Sequence, residues 1–387
     1  MVAYLDVSFA GRPMGVMSWD SRVAQGWFEF HTDFLPSKRC VLPLAEVGQT
    51  SINSAKPLPL DGRWPLFKPA FLTDNLPGPY AIYLLRHALL ASGKLPETFH
   101  PLAWCALQGR RGLGLIGFEP AGYPELDVVE SVDISRLVRH LRTLEGGHLS
   151  ANRMRELLRS GLFTTTNRPA ALLAINDFTG AVLSGQVGMP VGYQGWICWL
   201  DGVNQLPVSN PTLPSLDACL LANRRALACG LEVLDCRPLK DGHLTHLLTR
   251  RPDRQDGLSY HLLSFPTLLS DMGGVPTDDC AAVFRCLRQL RLSHAEHAAF
   301  FRRIVFNGLL YNRLENKSAV CFRCTPEGTW HVSPHTGFPP PLHGGMCLNG
   351  RYSNWSLDDY RELGASQGIK RHERIITDVQ SALAALT

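Results

Sequence analysis

Long apolar runs are missing from this sequence. No uninterrupted hydrophobic stretch reaches about 18 residues, so no membrane-spanning helix and no membrane partner are expected. Charge of one sign is scarce as well. The formal net charge is +4 and charged residues are 19% of the chain. A surplus that small and dispersed argues for neither a nucleic-acid partner nor a membrane surface. Met1 to Phe9 carries Asp6 and lacks a basic start followed by an apolar stretch, so no signal peptide is expected. The sequence also lacks a G-x-G-x-x-G, a Walker loop, an H-E-x-x-H, internal repeats and low-complexity tracts.

What is present is a globular composition. The chain has 387 residues, 45% of them hydrophobic, which suits two or three domains with large cores. Its 11 cysteines are an odd, scattered set, mostly beside apolar residues. They read as reduced, buried thiols of a cytoplasmic protein. One C-x-x-C occurs, at Cys321 and Cys324. His331 and Cys347 are the available further ligands, but the spacing is irregular, so no metal site is expected.

The first third reads as β-rich. Leu5, Val7 and Phe9 alternate with polar residues, Gly11-Arg12-Pro13 turns the chain, and runs over Met14 to Trp19 and Trp27 to His31 follow as hairpin signals. Ala81 to Ser92 reads as a helix stopped by Gly93. Asp133 is a good N-cap for a helix ended by Gly146-Gly147, and Ala151 to Arg159 is a short helix. Strands are expected at Ala171 to Ile175, Ala181 to Val187 and Trp196 to Leu200. From about residue 214 the pattern turns mainly helical. Ser293 to Glu296 forms a capping box, and Arg371 to Leu386 closes the chain amphipathically. The order implies an α+β protein.

Few residues announce chemistry. Gly112 and Gly114 form a Gly-x-Gly that precedes a strand and reads as a turn. His243 with His246, and His294 with His297, have helical i,i+3 spacing that could hold a metal, but no third ligand is evident. Tyr311 to Asn316 reads as a polar loop closing an apolar helix. Two small basic clusters, one of Lys370, Arg371, His372 and Arg374 and the other of Arg110 and Arg111, read as solvated surface.

Several segments, in order, resemble the HipA family, the kinase-like toxins of bacterial toxin–antitoxin modules. Phe71-Leu72-Thr73-Asp74-Asn75-Leu76-Pro77 resembles its Leu-x-Asp-Ser/Asn-Leu-Pro motif. Gly109 to Leu115 with Phe118-Glu119-Pro120 resembles R-G-M-G-A-L-x-F-E-P. Asn167-Arg168-Pro169-Ala170-Ala171 resembles G-G-A-R-P-K-A. Val305-Phe306-Asn307 with Asn312-Arg313 resembles V-F-N-x-L-x-x-N-x-D-D-H, and Val332-Ser333-Pro334 resembles L-S-P-x-Y-D. Leu348-Asn349-Gly350 and the two closing helices also fit.

The resemblance implies a two-lobed kinase-like fold in three regions. These are an N-terminal β-rich module over 1–130, a small kinase-like lobe over 131–213 and a helical lobe over 214–387. It implies ATP- and magnesium-dependent phosphorylation of a protein hydroxyl, and a helix-turn-helix antitoxin partner bound to DNA. Carried across by position, the chemistry fails. Trp199 stands for the phosphate-gripping lysine, Thr165 and Thr166 for the glycines of the phosphate loop that continues into Asn167 and Arg168, and Ala170 for its lysine. Leu314 stands for the catalytic Asp, Ala319 for a metal-binding Asn and Gly337 for a metal-binding Asp. An indole brings phosphate no positive charge, and leucine accepts no proton. The resemblance therefore implies a pseudokinase that binds neither ATP nor Mg2+. It would bind an antitoxin or a kinase paralogue and reach DNA only through a partner. The alternative is an active Ser/Thr kinase toxin with Glu315 as base and Asn316 as metal ligand, with Thr164, Thr165 and Thr166 as autophosphorylation sites.

Overall fold

A computed structural model describes residues 4–22, 25–34, 41, 50–53, 70–94, 100–147, 149–161, 168–203, 214–255, 257–271 and 277–386. Three sheets of three or more strands organise it. The first is antiparallel, with β1 (Tyr4–Phe9), β2 (Arg12–Asp20), β3 (Gln25–Phe30), β4 (Thr50–Asn53) and β5 (Ile116–Glu119) in the order β4-β3-β2-β1-β5. The expected alternation holds: Leu5, Val7 and Phe9 are buried, and Tyr4 and Asp6 face out. Ala10 and Gly11 turn the hairpin with φ of 50° and 76°, the left-handed pair that lets twisted strands meet.

Four helices lie between β4 and the second sheet in the chain, two on either side of β5: α1 (Pro79–Ala91), α2 (Pro101–Gln108), α3 (Ile134–Glu145) and α4 (Ala151–Gly161). Asp133 caps α3 as expected, its carboxylate accepting from the Arg136 amide at 2.9 Å. The second sheet holds β6 (Ala170–Ile175), β7 (Val182–Ser184), β8 (Gln194–Trp199), β9 (Cys236–Asp241) and β10 (Leu244–Arg250) in the order β7-β6-β8-β10-β9. Its last two strands come from beyond residue 213, inside the stretch expected to be mainly helical. For β10 the reason is burial on both faces. Leu248 faces the α1–α4 core and Leu247 the opposite one, so β10 lacks the alternation that marks a half-exposed strand.

The remaining elements are α5 (Leu216–Ala228), a small ribbon of β11 (Arg254–Gln255) and β12 (Leu258–Ser259), β13 (His261–Ser264), α6 (Phe265–Asp271), α7 (Ala281–Gln289), α8 (His294–Tyr311), β14 (Cys321–Cys324), β15 (Trp330–Val332), α9 (Leu357–Ser366) and α10 (His372–Ala384). Strands β13, β14 and β15 form the third sheet. The Ser293–Glu296 capping box starts α8, and Asn312, at φ 51°, ends it. The largest core crosses the expected regions. Leu5, Val7, Phe28 and Phe118 of the first sheet share one cluster with Phe284, Phe300, Ile304 and Phe306 of the helices. No helix among the described residues is long and apolar enough to cross a membrane.

Several expected features sit differently. His243 and His246 are not on a helix. His246 is a buried β10 residue whose Nδ1 accepts from the Asp201 amide at 2.9 Å. His294 is exposed while His297 is buried against Phe284, so that pair does not converge either. Arg111 is not solvated surface: it is buried and pairs with Asp127 at 2.7 Å. Cys321 and Cys324 lie three apart on β14, on opposite faces, which cannot grip one metal. All ten described cysteines are free thiols.

Candidate functional site

Of the positions singled out by the resemblance, Trp199 lies on the second sheet beside α5, and Leu314 to Asn316 follow the end of α8. Trp199 ends β8 at 8% exposure. Its Nε1 donates to Thr249 Oγ1 on β10 at 2.9 Å, and its ring meets Phe338 edge-to-face at 6.0 Å. Ala170, Leu172, Ile197, Leu247 and Cys219 complete a closed apolar cluster, with Leu216 packed on its rim. An indole needs one polar partner when buried, and Thr249 supplies it. The cleft face of the sheet is therefore hydrophobic and filled. Arg168 donates to the Pro214 carbonyl and lies 4.0 Å from Cys219 Sγ, at the edge of this cluster. Thr164, Thr165, Thr166 and Asn167 lie outside the described residues.

Leu314, just beyond α8, is core at 1% exposure. Glu315 beside it is equally buried and sits between Arg303 of α8 and His335, whose Nε2 lies 3.3 Å away. The Gly337 amide donates to His335 Nδ1 at 3.0 Å. That bond fixes the neutral tautomer with its proton on Nε2, aimed at Glu315. Burial pushes the Glu315 carboxyl up, but Arg303 and His335 outweigh it and hold it down at about 2. Burial, then Arg303, pushes the His335 imidazole below its usual range. Asn316 has both ends of its amide engaged. Its oxygen accepts from the Ser318 amide and its nitrogen donates to the Gly344 carbonyl, each at 2.9 Å. Ala319 is exposed, and its carbonyl accepts from Arg303 at 3.2 Å.

Gly337 has φ +74°, and a Cβ there would lie 2.7 Å from the Asn223 Cα on α5. Any side chain at this position is blocked by backbone. Asn223 straps the segment in place, its Nδ2 donating to the Leu234 and Thr336 carbonyls at 3.0 and 2.8 Å. The Gly-x-Gly turn is anchored by a carboxylate: the Gly114 amide donates to Asp253 Oδ2 at 2.8 Å. Asp253 in turn holds Arg251 through two bonds of 2.9 and 2.6 Å, both residues being buried.

The structure thus brings Glu315 and Gly337 together around His335, with Asn316 following Glu315 in the chain. Trp199 packs into a separate apolar cluster, and Leu314 faces the main core. Sequence reasoning missed Arg303, His335, Asn223, Phe338, Arg251 and Asp253. One signal was available for Arg303: a charge set between Phe300 and Phe306 in an apolar helix needs a buried partner.

Residues 212–384 match the family model of the HipA-like C-terminal domain. Through this lobe the chain is similar to the HipA-like C-terminal domain. The whole chain also has the HipA fold. Among solved structures it is similar to the Shewanella oneidensis MR-1 HipA solved with HipB and its operator DNA. The TM-score is 0.61 and identity 14%, over 98% of this chain and 90% of that one. No curated protein sequence matches the chain. The likeness in fold agrees with the two-lobed α+β architecture expected from the motifs.

Proposed function

We propose that this HipA-type chain is a pseudokinase, a cytoplasmic binding or regulatory component of a toxin–antitoxin-like module that transfers no phosphoryl group. The observation that carries this reading is Trp199. At the position of the family's phosphate-gripping lysine stands an indole, hydrogen-bonded to Thr249 and packed on Phe338. The remaining positions support the same reading. Phosphoryl transfer needs cationic and metal-borne charge on the phosphates and a residue to orient the nucleophile. ATP and magnesium do not fit the residues present. Leu314 faces the core, Gly337 has no space for a Cβ, and Glu315 is engaged by Arg303 and His335. A carboxylate held near 2 is a poor general base at neutral pH.

What the chain retains is the HipA shape, and its partners are proteins that recognise that shape: a helix-turn-helix antitoxin or an active kinase paralogue. The Shewanella protein was solved with HipB and operator DNA. By analogy this chain reaches DNA through such a partner. Isothermal titration with ATP, with and without magnesium, tests the reading. No heat at high micromolar ATP is expected. Magnesium-dependent binding, or transfer of labelled phosphate to the chain or to a lysate protein, overturns it.

A further inference from the structure

The inner face of the first sheet is core, and its outer face is not. Strand register defines that outer face row by row. Tyr4 lies opposite Ser18, and Ser18 opposite Trp27. Two residues along, Asp6 lies opposite Val16, and Val16 opposite Glu29. Asp6 is also opposite Glu119 on β5. Residues directly opposed across strands share a face, and so do residues two apart along one strand. The result is a shallow trough along β2. Its floor is Ser18 and Val16. One wall is Tyr4 with Asp6, and the other is Trp27 with Glu29. Two strand spacings separate the walls by about 10 Å.

Three features of this trough need a partner. Tyr4 is 70% exposed and Trp27 39% exposed, aromatic surface of the kind that anchors interfaces. Asp6 and Glu119 oppose each other as like charges, an arrangement that works against the sheet. Among the described residues, the cation paired with this row is Arg110, loosely, at 3.9 Å from Glu119. Each wall therefore offers one ring and one carboxylate to a group lying between them. A planar cation answers both, stacking on the rings and pairing with the acids. Guanidinium does this better than ammonium.

We propose that this outer face docks an arginine-bearing segment of a protein partner, with a guanidinium seated over Ser18 between Tyr4 and Trp27. The inference stands apart from the pseudokinase reading, since a nucleotide-binding chain could carry the same face. The test is fluorescence anisotropy with a labelled Arg-Ser repeat peptide and its Lys-Ser counterpart, on the full chain. The arginine peptide is expected to bind more tightly than the lysine one, and more weakly as salt rises. Trp27→Ala and Tyr4→Ala should each weaken it about two- to fivefold. Asp6→Asn and Glu29→Gln should do the same, whereas Asp358→Asn, an exposed acid on α9, should not. Asp6→Asn should leave the melting temperature unchanged or raised, an outcome a purely structural Asp6 would not give. Absence of peptide binding, or equal losses with Asp358→Asn, overturns the proposal. So does sedimentation showing a dimer that Trp27→Ala dissolves, which would assign the face to a second copy.

Discussion

Glu315 shows how the same residue type means different things in different surroundings. By the motif resemblance it adjoins the expected place of a catalytic aspartate, and by chemistry it could be a base. Its surroundings make it a strut. It is buried with Arg303 on one side and His335 on the other, and the Gly337 amide locks that imidazole. Removing one member of a buried pair leaves the other charge unsolvated, which costs about 3–5 kcal/mol. Glu315→Gln is therefore expected to lower unfolding free energy by that order in urea titrations. A catalytic, unpaired Glu315 would give a variant of near-native stability. Trp199→Ala is expected to cost about 3–5 kcal/mol through the cavity it leaves. Isothermal titration on that variant should still show no ATP binding, because the opened space is lined by Phe338, Ile197 and Leu247, and Arg168 at its edge is engaged by the Pro214 carbonyl. The sequence singled out Trp199, Leu314 and Gly337 through the motif resemblance alone, and no local spacing marks them. Glu315 gave no local spacing from which its pairing with Arg303 and His335 could be read, because both partners lie far from it in the chain.

At the scale of elements, legibility followed periodicity and capping. The Asp133 cap, the Ser293–Glu296 box and the alternation of β1 each act within a few residues, and each appears where the local pattern puts it. Strand β10 was missed because burial on both faces removes its alternation, and β9 because Cys236–Asp241 is largely polar and carries no apolar pattern. The β7 strand is shorter than expected, ending at Ser184. Gly185 beyond it packs on the backbone of Leu173, where a Cβ would lie 2.6 Å from the carbonyl carbon, and its amide still donates to the Leu172 carbonyl at 2.9 Å. Capping makes a test at this scale. Ser293 Oγ satisfies the Glu296 amide, and Glu296 returns a bond to the Ser293 amide at 3.0 Å. Ser293→Ala is expected to cost about 1 kcal/mol. The loss should appear in hydrogen exchange as faster opening of the first turn of α8, with β6 and β8 unaffected.

At the scale of the molecule, the first sheet and the C-terminal helices share one core, so stability stored in either is stability of both. Its weak point toward acid is His261, which joins the first sheet to the third. His261 is buried between Phe9 and Trp330, at 5.3 and 6.5 Å, and both ring nitrogens lack a hydrogen-bond partner among the described residues. Burial pushes its pKa down to about 3. In the unfolded chain the same imidazole takes up a proton near 6.5. Between those limits the unfolded state holds the extra proton, so unfolding free energy falls as pH falls. The loss begins near pH 6.5 and continues to about 3, at up to about 1.4 kcal/mol per pH unit for this one group. Glu315 adds to it lower down. Its carboxylate, held at about 2 in the fold, is protonated more readily once unfolded, and its contribution fades from about 4.5 downward. His335, also held below its usual range, acts in the same direction as His261. Denaturant midpoints measured from pH 7.5 to 4 should therefore drop steadily below pH 6.5. His261→Phe, which keeps a ring between Phe9 and Trp330 and carries no titrating nitrogen, should make that slope shallower. It should do so for the first sheet and the helical lobe together, read as parallel losses of hydrogen-exchange protection. A slope unchanged by His261→Phe would mean that the imidazole finds a proton or a partner inside the fold.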